Sequence, residues 1–200
     1  MKNISLENFK ENLSKDLEFN SIPSLLKTKP ANYWIEQAKK RPIPKMLFGK
    51  LWFEGELCIL FADTTLGKSI LAVQLGNSIS TGYSTCWLEL EAEQQPVIYI
   101  DFELSDRQFE CRYSDDYENH FEFNDKFFRS EIEAGVKVPK KYKSFEDYLC
   151  ESIENTVIHH SAKVLIIDNI SYLKSGTEKA SEPTTLMIFL SEIKKKYKLF

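Results

Sequence analysis

Three short apolar runs, separated by stretches of helical periodicity, place the strongest constraint on the fold of this chain. The runs cover residues 57–62, 97–100 and 163–167. Each run is almost continuously apolar, a pattern typical of strands that are buried on both faces. The sequences between them repeat apolar residues at helical spacing, as in the segment 68–80, whose helix is expected to stop at Gly82. The sequence therefore predicts an α/β fold with a parallel sheet flanked by helices.

The segment between the first run and the first of these helices carries a phosphate-binding motif. It fits the pattern A/G-x-x-x-x-G-K-S/T, the P-loop or Walker A motif, in the strand-to-helix context that the motif requires. In such a loop, backbone N–H groups and a helix N-terminus surround the phosphates of a nucleotide. All eight motif positions are therefore predicted to bind ATP: Ala62, Asp63, Thr64, Thr65, Leu66, Gly67, Lys68 and Ser69.

Three positions of this motif have specific expected roles. We expect glycine at position 67 because a Cβ atom would collide there. The Lys68 side chain is predicted to supply positive charge to the β and γ phosphates, and the Ser69 hydroxyl is predicted to be a Mg²⁺ ligand. The first motif position holds Ala62, an accepted variant of the commoner glycine.

Carboxylates follow the other two apolar runs. The run 163–167 leads directly into Asp168, which is the Walker B arrangement of a carboxylate that orients the Mg²⁺ hydration shell beside a P-loop. The run 97–100 leads into Asp101 and Glu103, and we predict that Glu103 is the catalytic residue that holds the attacking water. Asp101 is the alternative, because residues two apart on a strand share a face. Either carboxylate could instead only cap a helix that begins near Ser105.

On these motifs the sequence resembles the RecA-like ATPases. Within that group it is similar to the DnaB-type and RepA-type hexameric replicative helicases and to the related AAA-type ATPases of plasmids and mobile elements. The resemblance covers roughly residues 43–200 and rests on the stretches 55–60, 97–105 and 163–169, together with the P-loop. It places Glu103 at the catalytic position of the family and Asp168 in Walker B.

The resemblance also implies activity and partners. A RecA-like P-loop core would hydrolyse ATP with Mg²⁺, assemble as a homo-oligomeric ring and act on single-stranded DNA in replication or in mobilisation of a genetic element. Such cores continue after Walker B with a helix and a further parallel strand that carries a polar sensor residue. Here the helix is predicted around Phe189, Leu190 and Ile193, and the sequence stops at Phe200. We therefore expect a partial core, truncated at its C-terminal end, that lacks the later strands.

The sequence before the core predicts a separate helical arm. Residues 6–18 carry apolar residues at helical spacing, and Pro30 opens a second helical segment. The turn-forming sequence around Pro42 and Pro44 then separates this arm from the apolar runs of the core. We therefore expect a helical arm over residues 1–48 and the ATPase core over residues 49–200.

Composition limits the class of protein. The chain has 200 residues, 42% of them hydrophobic, and a formal net charge of −4, which suits a domain with a sizeable core. No apolar stretch approaches the ~20 residues of a membrane span, and acidic residues interrupt the N-terminus before any signal sequence could form. Four cysteines lie far apart in the sequence, which indicates reduced thiols and a cytoplasmic location.

Two other functions compete with the DNA motor. A nucleotide-binding regulatory or assembly module with little turnover would use the same P-loop and would need no sensor strand. A small-molecule kinase would need an arginine-rich lid over the transferred phosphate. The chain has few arginines, and none of them is clustered after the P-loop helix: Arg41, Arg107, Arg112 and Arg129. The sequence therefore disfavours the kinase.

Overall fold

The computed structural model of the chain describes residues 26–63, 66–84, 88–169 and 185–199. Contacts between residues divide the chain into two compact units, Met1–Ile43 and Pro44–Phe200, and each is considered by itself. The helix predicted over residues 6–18 lies outside the described residues. Within the described ranges, no helix combines the length and the apolar character that crossing a membrane requires.

The first unit contains helix α1, Ala31–Ala38, which follows Pro30 as predicted. Proline suits this position because its fixed φ favours a helix start and it has no N–H group to leave unpaired. The rings of Tyr33 and Trp34 meet edge to face at 5.4 Å, and the Lys27 ammonium lies 5.5 Å from the Trp34 ring. No residue of α1 is buried by the part of the chain that is described.

The second unit alternates strands and helices. In chain order its elements are β1 Met46–Phe48, β2 Trp52–Phe53, α2 Lys68–Thr81, β3 Val97–Asp101, α3 Asp106–Arg112, β4 Phe127–Ser130, α4 Phe145–His159, β5 Val164–Asp168 and α5 Thr185–Tyr197. Strands β1 and β2 form a small antiparallel pair, and the other three strands form a parallel sheet in the order β4-β3-β5. The predicted α/β architecture, with a parallel sheet flanked by helices, is therefore confirmed.

Strand β3 lies at the centre of this sheet and is buried along its whole length. Its side chains alternate between two apolar clusters. Val97 and Tyr99 join a cluster with Val73 and Ile79 of α2, whereas Ile98 and Ile100 join a cluster on the opposite face with residues of α4 and α5. Because both faces are covered, the run that forms β3 is apolar throughout instead of alternating.

Local capping signals set the helix boundaries. Gly82 ends α2 with a φ of 76° and donates its N–H to Ser78, as expected for a left-handed C-terminal cap. The spacing of Ser105 and Gln108 predicts a capping box, and these residues form one at the start of α3. Ser144 likewise accepts the amide of Asp147 at the start of α4. The end of α2 and the starts of α3 and α4 therefore lie where the sequence predicts.

The aromatic stretch after α3 contributes a strand to the parallel sheet. The alternation of aromatic residues within 112–143 predicts an extra strand or hairpin, and β4 is the strand found there. Its residues pair with β3 in parallel register, with Val97 opposite Phe127 and Tyr99 opposite Arg129. Phe109, Tyr113 and Phe123 pack against the same apolar cluster as Phe127. The aromatic residues therefore attach the edge strand to the core.

The structure does not support the strand predicted over residues 57–62. This segment has no regular structure, and its side chains Ile59 and Phe61 are 67% and 87% exposed. A strand needs a neighbour to pair its backbone groups, and among the described residues the parallel sheet ends at β5. A cavity of about 230 Å³ is lined by residues 57–60 on one side and by 165–169 on the other. The apolar run is therefore present next to the sheet without a hydrogen-bonding partner in it.

Candidate functional site

Gly67 forms the junction between the predicted P-loop and α2. It occupies the N-terminal cap of the helix with a φ of 82°, a left-handed conformation that residues with a side chain rarely adopt. A Cβ atom at this position would have no atom of the described residues within 4 Å, and the expected collision at a bound phosphate stays a prediction. The reason for glycine in the protein itself is therefore the backbone angle. The same angle directs the chain into the first turn of α2.

Two residues of the P-loop hold the Lys68 side chain. Its ammonium donates hydrogen bonds to the backbone oxygens of Ala62, at 2.7 Å, and of Asp63, at 2.9 Å. The ammonium and the N-terminus of α2 both carry positive charge, so they make this end of the helix attractive to anions. Ser69 lies half-buried in the first turn. The motif residues Thr64 and Thr65 lie outside the described residues.

Asp168 ends strand β5 and is held by a neighbouring strand. Its Oδ2 atom accepts a hydrogen bond of 2.7 Å from the hydroxyl of Tyr99, which is 1% exposed. Burial of the phenol raises the pKa of Tyr99 well above its usual range, and the hydrogen bond to Asp168 raises it further. Tyr99 therefore remains a proton donor to Asp168 throughout the pH range in which the protein could act. The pairing also fixes the direction of the Asp168 carboxylate.

Glu103 lies just beyond the end of β3 and is exposed. Its Oε1 atom accepts a hydrogen bond of 2.7 Å from the side-chain amide of Asn169, and the peptide bond between Asp168 and Asn169 is cis. Asn169 follows β5 directly, so this bond joins the ends of two neighbouring strands. The contact was not predicted, although the parallel register that sets Asp101 opposite Asp168 is the feature that brings the two ends together.

Asp101 has different surroundings from Glu103. It is 2% exposed, and its Oδ1 atom accepts the amides of Glu103 and Leu104 at 3.0 and 2.9 Å. Its Oδ2 atom forms an ion pair with Arg129 at 3.1 Å. This carboxylate therefore holds the turn after β3 in place. Arg129 is not among the predicted site residues, and its one signal in the sequence is a single arginine inside the otherwise apolar start of β4.

The predicted site residues are partly brought together. Lys68, Asp168 and Asn169 line the same cavity, and Glu103 is joined to this group through Asn169. Most of the remaining lining is apolar. No group of three or more histidine, cysteine, aspartate or glutamate side chains suited to a metal ion occurs in the described ranges. A cation at this site would consequently need oxygen ligands from phosphates and water as well as from the protein.

Comparison with known families agrees with this arrangement. No curated protein and no solved structure matches the chain. The AAA domain family matches residues 23–198, which is most of the sequence. That match covers the P-loop, the turn that carries Glu103 and the strand that ends in Asp168. The chain therefore belongs to the AAA domain family of P-loop ATPases.

Proposed function

We propose that the chain binds ATP with Mg²⁺ at the P-loop and hydrolyses it. The observation that carries this proposal is the placement of the Lys68 ammonium at the N-terminus of α2, held by two loop carbonyls and lining the same cavity as Asp168. Anionic phosphates favour such a position, because the helix N-terminus supplies unpaired N–H groups and the lysine supplies charge. The open space around Gly67 leaves room for a phosphate group.

The residues present also fit a magnesium ion. Mg²⁺ prefers hard oxygen ligands and keeps several waters, so one carboxylate and one hydroxyl from the protein are sufficient. We assign these roles to Asp168 and Ser69. Among the described residues, the Asp168 carboxylate accepts a hydrogen bond at one oxygen only, from the Tyr99 hydroxyl. Bound Mg²⁺ would supply positive charge that offsets the charge of the phosphates.

Glu103 is our candidate for the residue that positions water. Hydrolysis forms a bond between a water oxygen and the γ-phosphorus, breaks the bond to the β–γ bridging oxygen, and releases a proton, which a carboxylate can accept. Glu103 is exposed at the end of β3, whereas Asp101 is buried and engaged with the turn and with Arg129. We therefore give the water-holding role to Glu103 and a structural role to Asp101.

The finer functional assignment rests on the sequence resemblance. We propose that the chain is related to the DnaB-type and RepA-type replicative helicases and to mobile-element ATPases. On this proposal residues 49–200 form the motor core, residues 1–48 form an arm, the protein assembles as a ring in the cytoplasm, and single-stranded DNA is its partner. The resemblance at the P-loop and at residues 101–103 supports this assignment. The match to the AAA domain family supports the coarser assignment of a nucleotide-binding ATPase.

A regulatory or assembly module is the second candidate. The observation in its favour is the hydrogen bond from Asn169 to Glu103, because an oxygen that accepts this bond has less capacity to hold a water. In that case ATP would change the oligomeric state with little turnover. Single-turnover hydrolysis, measured with and without single-stranded DNA, separates the two: stimulation by DNA excludes the regulatory module, and an unchanged slow rate excludes the motor.

The nucleotide site itself is tested with Lys68→Ala. We expect the variant to bind ATP at least about tenfold more weakly, because it loses a charge-assisted contact to phosphate. Lys39→Ala is the matched control, since Lys39 is an exposed lysine that pairs with its helix neighbour Glu36. Fluorescence titration with a labelled ATP measures both. Equal affinity of wild type and Lys68→Ala would show that the nucleotide does not bind at the P-loop.

A further inference from the structure

We propose that Arg129 is a positioning residue for Glu103 and acts through Asp101 and the turn between them. This inference rests on the proposed role of Glu103 in hydrolysis. Arg129 lies on β4, the strand on the far side of β3 from β5. It therefore approaches the candidate site from the opposite side to Asp168 and Asn169. The position of Arg129 in the sequence gives no indication of a role in ATP hydrolysis.

The turn that presents Glu103 is organised by a single buried carboxylate. Asp101 ends β3, and its Oδ1 atom accepts the backbone amides of both Glu103 and Leu104. An aspartate that accepts the amides two and three residues further on fixes a local turn in the way that a capping side chain does. The direction in which Glu103 leaves the sheet consequently depends on where the Asp101 carboxylate is held.

Arg129 holds that carboxylate and also the far end of the turn. Its Nε atom donates to Asp101 Oδ2 at 3.1 Å, and its Nη2 atom donates to the backbone oxygen of Leu104. A third nitrogen, Nη1, pairs with Glu131 at 2.9 Å. The guanidinium also lies 4.8 Å from the ring of Phe109 in α3. One planar group therefore fixes both Asp101 and Leu104, the two ends of the segment that contains Glu103.

The ion pair between Arg129 and Asp101 is largely buried. The side chain of Asp101 is 1% exposed and that of Arg129 is 17% exposed, so the carboxylate depends on the guanidinium and not on bulk water to offset its charge. A buried carboxylate that loses its counter-ion is left uncompensated, and the surrounding backbone is expected to move. Lysine preserves the charge but offers a single ammonium, which cannot match the fixed fork of a guanidinium that spans three acceptors. Arginine is thus specifically suited to position 129.

The test compares Arg129→Lys with Arg107→Lys in the full chain. Arg107 is a matched control, because it is an exposed arginine that pairs with Glu110 on its own helix. We expect Arg129→Lys to lower kcat for ATP hydrolysis roughly 10- to 100-fold, as small displacements of catalytic groups do, with KM within about twofold of wild type. We expect Arg107→Lys to change neither kcat nor KM. A fall in affinity without a fall in kcat would overturn the proposal.

A double variant tests whether Arg129 acts through Glu103. If it does, adding Arg129→Lys to Glu103→Gln should leave the residual rate of Glu103→Gln unchanged, because the group that Arg129 positions is already lost. If Arg129→Lys lowers the hydrolysis rate by the same factor in the Glu103→Gln background as in wild type, Arg129 acts independently of Glu103. Thermal melting of each variant checks that the proteins remain folded.

Hydrogen exchange tests the turn without relying on turnover. The amides of Glu103 and Leu104 should exchange about tenfold faster in Arg129→Lys, because a charge-assisted contact that holds their acceptor is weakened. Unchanged exchange at both amides would overturn the proposal whether or not the chain hydrolyses ATP. Failure of the proposed function is distinguishable, since it appears as unaltered nucleotide affinity in Lys68→Ala or unaltered hydrolysis in Glu103→Gln.

Discussion

At the scale of single residues, side chains around the candidate site are held by specific partners. The Asp168 carboxylate is fixed by Tyr99, the Glu103 carboxylate by Asn169, and the Lys68 ammonium by loop carbonyls. Groups held in advance need less reorganisation when a charged ligand arrives, which is the usual source of their effectiveness. The first two of these contacts join the ends of β3 and β5, and the third lies within the P-loop. The site is therefore a property of the packed sheet as well as of the motif.

Gly76 is required for close packing between α2 and the sheet. A Cβ atom at this position would lie 2.4 Å from Cε2 of Phe127 and 3.2 Å from Cδ1 of Ile166. We expect Gly76→Ala to lower the free energy of unfolding by about 1 to 2 kcal/mol, because the overpacking penalty exceeds the ~1 kcal/mol that alanine gains in a helix. Urea unfolding of the full chain measures the difference.

A double variant of Gly76 and Phe127 tests whether contact with the Phe127 ring causes this loss of stability. In a Phe127→Leu background the ring is gone, so the penalty of Gly76→Ala should shrink by at least about 1 kcal/mol. If the alanine costs the same in both backgrounds, contact with Phe127 is not the reason for glycine at this position.

At the scale of residues, the sequence offers candidates where the expected chemistry is contained in a local motif. The P-loop at residues 62–69 and the carboxylates after two apolar runs are recognisable because each is a short segment with a required spacing. Arg129 was not recognisable as part of the site, and neither was the hydrogen bond from Asn169 to Glu103. Their roles depend on strand register, which sets Tyr99 opposite Arg129 and Asp101 opposite Asp168. Register is a relation between distant segments, and a single sequence without a structure does not specify it.

At the scale of elements, helices were predicted more reliably than strands. The helices α2, α3 and α4 carry local boundary signals, a glycine at the end of α2 and capping serines at the starts of α3 and α4, so these bounds follow from local sequence. A strand also needs a partner for its backbone groups. Strands β3 and β5 have one, and the equally apolar run 57–62 does not pair with β5. This difference explains why one of three similar runs was assigned wrongly.

Helices α4 and α5 are joined by Glu154. This carboxylate accepts hydrogen bonds from the Lys196 ammonium, at 2.8 Å, and from the Tyr197 hydroxyl. The contact with Lys196 is the main reason that the pKa of Glu154 is lowered from its usual value of 4.5, and the contact with Tyr197 adds to it. Because the folded-state pKa is lowered, the contribution to stability is fully present above about pH 4.5 and is lost as the pH falls through the folded-state value.

We therefore expect Glu154→Gln to destabilise the fold at pH 7 and to matter less at acid pH. Lys196 is 64% exposed, so the effect at pH 7 should be no more than about 1 kcal/mol. Urea unfolding at pH 7 and at pH 3.5 measures the difference from wild type. Glu93→Gln is the control, since Glu93 is 90% exposed in its pair with Lys45 and should change stability little at either pH. If the difference in unfolding free energy between wild type and Glu154→Gln is larger at pH 3.5 than at pH 7, the stabilising role given to ionised Glu154 is wrong.

At the scale of the whole second unit, apolar clusters cover both faces of the parallel sheet, and no strand of the described residues pairs with its β5 edge. The two apolar clusters account for the faces, with β3 contributing alternate side chains to each. At the edge, residues 57–60 and 165–169 line a mostly apolar cavity. Exposed apolar segments beside an unpaired strand edge are typical sites of association between protein molecules. Solubility of the chain is therefore expected to depend on this edge.

Ile59 is the position at which this expectation can be tested. Its side chain is 67% exposed, and Ile59 lines the cavity that residues 165–169 also line. We expect the chain to self-associate as its concentration rises, and Ile59→Lys to weaken that association by about tenfold or more, since burial of one isoleucine contributes about 1.5 to 3 kcal/mol. Tyr83→Lys is the control, because Tyr83 is 78% exposed and does not line the cavity. Sedimentation velocity over a range of concentrations measures all three proteins. Equal association of wild type and Ile59→Lys, or an equal loss in Tyr83→Lys, would show that the apolar surface beside β5 does not drive the contact.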